Sequence, residues 1–144
     1  MTRIDFYVLP GDSPLERLHL VCKLAEKAVG HAQKVFIYSQ SMEQLTELDK
    51  VLWDYRPMSF VAHTLLKPGN VTSSADVECV HLSSDLPAAD RNLLINLDAE
   101  VPSFFSRFER TLEVINTEPS VQSEGRLRYR FYKQRGYPLH HHKM

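Results

Sequence analysis

The sequence is short of glycine, with five in 144 residues, and none of the five builds a phosphate-cradling loop. Neither G-x-G-x-x-G nor G-x-x-x-x-G-K-[ST] occurs, and Gly11 is the one glycine near the first strand–helix junction that the pattern predicts. A nucleotide-binding enzyme is thereby disfavoured, because such sites need backbone N–H groups brought close to phosphate. Cysteine is scarce as well. Cys22 and Cys79 are far apart and embedded in apolar runs, which reads as two small buried thiols in a reducing compartment. Residues 1–30 lack a basic start followed by an apolar block, and no apolar run approaches membrane-spanning length. The expected location is the cytoplasm, away from membranes. Charge of one sign is lacking too: 17 Lys and Arg against 18 Asp and Glu leave a formal net charge of −1. A general nucleic-acid binder carries a positive excess, because its affinity comes largely from phosphate contacts.

What remains is the make-up of a globular protein, 43% apolar and 24% charged, and a length that suits one domain over residues 1–144. Ile4–Leu9 is a short run rich in β-formers that ends at Pro10-Gly11-Asp12 and predicts a first strand. Ser13-Pro14 is an N-cap followed by proline at the first helical position. Leu15, Leu18, Val21, Cys22, Ala25, Ala28 and Val29 then recur at helical steps up to Gly30. Val35–Tyr38 predicts a second, wholly apolar strand, and a second helix follows over Ser41–Tyr55, with Leu45, Leu48, Val51 and Leu52 inward. Further strands are expected at Ser59–His63, Val77–Leu82, Leu93–Leu97 and Thr111–Ile115, with a loop over residues 66–75. Pro102–Arg110 reads as a short helix or turn anchored by Phe104, Phe105 and Phe108, and a last helix starts at Glu118-Pro119-Ser120. Alternating strands and helices predict an α/β fold: a mostly parallel sheet flanked by helices, Rossmann-like without the nucleotide-binding loop.

The positive charge is local. Arg126–Tyr137, RLRYRFYKQRGY, carries five basic and four aromatic residues and closes on Gly136. At helical spacing Arg126, Tyr129, Arg130 and Lys133 share a face. One reading is a docking helix with a solvated basic side. The other is an anion-recognition surface built on the cluster Arg126, Arg128, Arg130 and Lys133, with guanidinium forks gripping carboxylate beside a tyrosine ring. Around Trp53, the residues Tyr55, Pro57, Met58 and Phe60 crowd large apolar groups about a helix end. They read either as core filling or as an interface anchor. Trp53 follows Leu52 by one residue, so it points about 100° away from the core stripe. His63 at a strand end reads as structural more readily than as catalytic. His140, His141 and His142 are consecutive, which suits a frayed terminus better than a metal site. No metal, cofactor or catalytic residue is expected.

Taken together, residues 6–9 (FYVL), 48–53 (LDKVLW), 57–63 (PMSFVAH), 91–97 (RNLLINL) and 126–137 resemble, in order and spacing, the chi-subunit family of bacterial DNA polymerase III. Residues 64–90 match least. The resemblance implies a clamp-loader accessory that is not itself catalytic, within a DNA-directed DNA polymerase, a nucleotidyltransferase complex. It implies two partners: the psi subunit, and the acidic C-terminal tail of single-stranded-DNA-binding protein, with DNA reached indirectly. Carried onto this chain, the tail site is Arg126, Tyr129 and Arg130, with Lys133 and with Ile115 in the apolar seat. The psi surface is Trp53, Pro57 and Phe60. Where other members carry lysine this chain carries Arg130, which keeps the charge but alters donor geometry. Two readings from other classes stand beside the adaptor: a small α/β enzyme with a cleft around His63, and a direct single-stranded nucleic-acid binder using Arg126–Arg135 with stacking aromatics.

Overall fold

The computed structural model describes residues 2–54, 63–66, 80–84 and 92–144, with residues 63–66 described by their backbone alone. Its elements in chain order are β1 (Arg3–Val8), α1 (Pro14–Gly30), β2 (Val35–Tyr38), α2 (Met42–Asp54), β3 (His63–Leu66), β4 (Val80–Ser83), β5 (Leu93–Asn96), β6 (Arg110–Ile115), α3 (Pro119–Gln134) and β7 (Leu139–Lys143). The strands form one seven-stranded sheet in the order β3-β4-β2-β5-β6-β1-β7. Every pairing in it is parallel.

Parallel strands need crossover helices, and these cover the sheet on both sides. On one face α1 and α2 bury Leu18, Val21, Cys22, Ala25, Leu45, Leu48 and Leu52 against Val35, Ile37, Leu93, Ile95, Leu112 and Val114. On the other face Tyr132 of α3 and Phe104, Phe105 and Phe108 pack on Ile4, Phe6, Phe36, Tyr38 and Leu94. β2 and β5 are buried at every position because both their faces are covered, which is why Val35–Tyr38 and Leu93–Ile95 read as apolar runs. The ends of α1 and α2 follow local chemistry. The Ser13 hydroxyl accepts from the Glu16 N–H at 3.3 Å, and the Ser41 hydroxyl from the Gln44 N–H at 3.2 Å. Such caps contribute about 1 kcal/mol each.

The structure also departs from the expectations. The described part of β3, His63–Leu66, runs past the expected end at His63 and takes in the start of the expected loop. Residues 59–62 lie outside the described residues. The Pro102–Arg110 segment agrees with its reading as a short helix or turn: it forms a 3-10 turn at Phe105–Arg107, with Phe104, Phe105 and Phe108 buried. Leu15, in the first turn of α1, is 49% exposed and does not join the inward row of the helix. After α1 the left-handed residue is Ala32, at φ 58°, and not a glycine. The largest departure is the histidine run. It is no frayed end: it is strand β7, paired to β1 in the register Leu139 with Ile4, His141 with Phe6 and Lys143 with Val8. Among the described residues, no helix is long and apolar enough to cross a membrane.

Candidate functional site

Helix α3 is placed by its ends and by one buried carboxylate. Glu118 is its N-cap and accepts from the Val121 N–H at 3.0 Å. The Ser120 hydroxyl and the Val121 amide hold the Glu118 carboxyl below its ordinary value. Gly136, at φ 80°, turns the chain out of the helix toward β7. Between the ends, Gly125, Arg128 and Tyr132 face the sheet. Glu113 of β6, fully buried, receives the last two. Its Oε1 accepts from Arg128 Nε at 2.9 Å, and its Oε2 from the Tyr132 hydroxyl at 2.7 Å and Asn96 Nδ2 at 3.0 Å. Burial and the Glu113 charge both push the Tyr132 phenol up, so it stays a donor. Arg128 Nη1 donates to the Ala99 carbonyl at 3.0 Å. Arg128 is therefore not part of a basic surface, contrary to the sequence reading. It compensates a buried carboxylate, since charges that leave water must be paired.

With that face fixed, Arg126, Tyr129, Arg130 and Lys133 fall on the flank of α3 that overhangs β1 and β7. They line a groove of about 550 Å3 together with Phe6, Val8, Ile115, Gln122, Gly125, His141 and Lys143. Its floor follows from register. Ile115 pairs with Val8 and Val8 with Lys143, each the last residue of its strand, so the three side chains form one row on the α3 face. The carboxyl ends of parallel strands are where α/β sheets usually hold ligands. Gly125 brings the helix down onto this row: a Cβ there would lie 2.7 Å from Ile115 Cγ2. The Tyr129 ring stands edge-on to Phe6 at 5.3 Å and to His141 at 5.1 Å. An apolar seat thus lies beneath Arg126, Arg130 and Lys133, and none of the described residues that line it is acidic. The arrangement suits a ligand with carboxylates around an apolar group.

All five residues expected at the tail site come together here. Two that the sequence reading missed, His141 and Lys143, complete it. LHHHK has no apolar period to signal a strand, and which of its side chains share a face follows only from the pairing of β7 with β1. Of the residues expected at the psi surface, Trp53 is 61% exposed near the end of α2, on the opposite side of the sheet from α3. Pro57 and Phe60 lie outside the described residues, as do Cys79 and the side chain of His63. The carboxyl end of β1 opens on a second groove, of about 270 Å3, lined by Asp12, Arg17, Glu47, Asn116 and Glu118 among others. Its three carboxylates oppose a phosphate at the N-terminus of α1. Arg17 Nε donates to the Val114 carbonyl at 2.8 Å, and burial, with Arg128 nearby, brings its guanidinium down to about 10. Among the described residues no group of three His, Cys, Asp or Glu is placed to hold a metal ion.

Residues 1–140 match the model of the family described as DNA polymerase III chi subunit, HolC. A DNA polymerase III subunit chi from Pseudomonas aeruginosa is 37% identical over 144 residues, covering 100% of this chain and 98% of that one. The subunit of the same name from Escherichia coli is 28% identical, covering 96% of each chain. In shape the chain is similar to the crystal structure of T4 UvsW, with a TM-score of 0.70 at 8% identity, a likeness of fold alone. It spans 99% of this chain and 41% of that one.

Proposed function

The chain belongs to the DNA polymerase III chi subunit family of DNA replication, and from that premise we propose that it is a non-catalytic adaptor of the clamp loader. In this reading it joins the psi subunit to the acidic C-terminal tail of single-stranded-DNA-binding protein and meets DNA only through that protein. It acts as one domain over residues 1–144, in the cytoplasm. The observation that carries the reading is the groove between α3 and β7, where cations surround an apolar seat on Ile115 and Tyr129. A peptide rich in aspartate that ends in phenylalanine with a free carboxylate has the complementary groups. Arg126 and Arg130 take carboxylates, Tyr129 and Ile115 take the ring, and Lys133 adds charge at the rim. Trp53 is the anchor for psi, with Pro57 and Phe60 as its expected neighbours. Because α2 and α3 lie on opposite faces of the sheet, the two partners bind without competing.

The test is calorimetric titration with a short acidic peptide ending in phenylalanine, against single-stranded DNA of equal charge. The peptide is expected to bind more tightly, and more weakly as salt rises, since exposed charges are screened over roughly 8–10 Å at ordinary ionic strength. Tighter binding of the DNA would favour direct single-strand recognition instead.

A further inference from the structure

Three features of the groove wall opposite α3 belong together. Lys143 stands at the sheet edge, at the end of the row Ile115–Val8–Lys143. Its side chain lines the groove and is exposed. Two positions earlier His141 meets Tyr129 at 5.1 Å and Phe6 at 6.0 Å, so β7 closes on the tyrosine from the side away from the helix. β7 is itself tied down: His142, facing the other way, has its Nε2 2.9 Å from the buried Asp5 carboxylate and its ring stacked on Tyr7 at 4.5 Å.

Resting on the peptide reading above, we propose that β7 is the second wall of the site and fixes the direction in which the peptide lies. The deep seat, beside Ile115 and the Tyr129 ring, takes the terminal aromatic ring, and Arg126 and Arg130 hold the terminal carboxylate. From there the row Val8–Lys143 is the way out to the sheet edge. The acidic residues that precede the terminal one cross β1 along it and meet Lys143. His141 is a positioning residue that holds the Tyr129 ring upright. The occupant is thus an acidic peptide entering across the sheet edge. The alternative, a peptide running along α3, would engage Lys133 and leave Lys143 untouched.

The experiment is a cycle of protein and peptide variants. The parent, Lys143→Gln, Lys143→Glu and Arg126→Ala are each titrated with two peptides that end in phenylalanine, one with aspartates before it and one with asparagines there. Melting temperature is recorded for every protein. Lys143→Gln is expected to weaken the aspartate peptide about two- to fivefold, the range of an exposed ion pair, with Lys143→Glu weakening it further. The asparagine peptide should bind both variants as it binds the parent. Equal losses with both peptides, or none with either, would overturn the second wall. If Arg126→Ala still weakens both peptides while Lys143→Glu matches the parent, β7 is excluded and the helix site stands. If Arg126→Ala also binds like the parent, the site reading falls and this inference with it.

Discussion

Arg128 Nε lies 2.9 Å from Glu113 Oε1, and both side chains are almost wholly out of water. This pair joins α3 to β6, and the Tyr132 hydroxyl and Asn96 amide fill the other carboxylate oxygen. It decides which side of a helix with five nearby cations faces solvent. Breaking one side of a buried ion pair costs about 3–5 kcal/mol, because the other charge is left uncompensated. Arg128→Ala is therefore expected to lower the unfolding free energy by about that much in urea, whereas Arg126→Ala, at an exposed position, should leave it unchanged. Equal effects of the two would contradict the division of the helix into an anchoring and a binding face.

Gly125 supplies a second prediction. In an exposed helix interior Gly→Ala stabilises by about 1 kcal/mol. Here the added Cβ would sit 2.7 Å from Ile115 Cγ2, on a β-branched side chain with little room to turn away. Gly125→Ala is expected to destabilise by about 1–3 kcal/mol through overpacking. It should also weaken peptide binding, because Ile115 is part of the seat. Urea denaturation checks the first and titration the second, and a gain in stability would show that α3 does not rest on Ile115.

Asp5 ties three strands to one another. It pairs with Arg110 of β6 at 2.7 Å, with Arg3 of β1 at 3.2 Å and with His142 of β7 at 2.9 Å. Burial raises its carboxyl, but the hydrogen bonds from Arg110, His142 and Arg3 outweigh that and leave it below the ordinary value. Because the native value is depressed, the stabilisation is present above the unfolded value of about 3.9 and is lost as pH falls through the native one. Asp5→Asn should lower stability at neutral pH. Its stability should also fall less steeply than the parent's below about pH 4, as chemical denaturation at a series of pH values would register. Parallel curves would show that Asp5 takes no part in acid unfolding.

Trp53 separates an interface from a core. At 61% exposure its truncation should change the melting temperature little, whereas loss of a core tryptophan costs about 3–5 kcal/mol. An anchor at the centre of an interface commonly contributes 2 kcal/mol or more, on the order of thirtyfold in affinity. Trp53→Ala is expected to lose psi and keep the acidic peptide. Loss of both partners with a large fall in melting temperature would place Trp53 in the core.

Much of the fold could be read from sequence because its cause is local. Val35–Tyr38 and Leu93–Ile95 are apolar at every position since both faces are covered, and Ser13-Pro14 carries its cap with it. Helical phase alone grouped Arg126, Tyr129, Arg130 and Lys133. It did not show that Arg128 was buried, because the reason is a carboxylate on another element, Glu113. Strand β7 was hidden for a similar reason. His142 and Asp5 are 137 residues apart, and a run of three histidines has no apolar period of its own. With β7 missed, Lys143 and His141 could not be assigned to the groove.

The central claim is that the groove between α3 and β7 holds the acidic tail, and Arg126 tests it most directly. Arg126→Ala and the parent are titrated by calorimetry with the same acidic peptide ending in phenylalanine, and both are melted alone. A charge-assisted contact contributes about 1.5–3 kcal/mol. The account predicts affinity lower by about tenfold to a hundredfold at an unchanged melting temperature, with Arg130→Lys losing less because its charge survives. An Arg126→Ala protein that binds the peptide as tightly as the parent would contradict it.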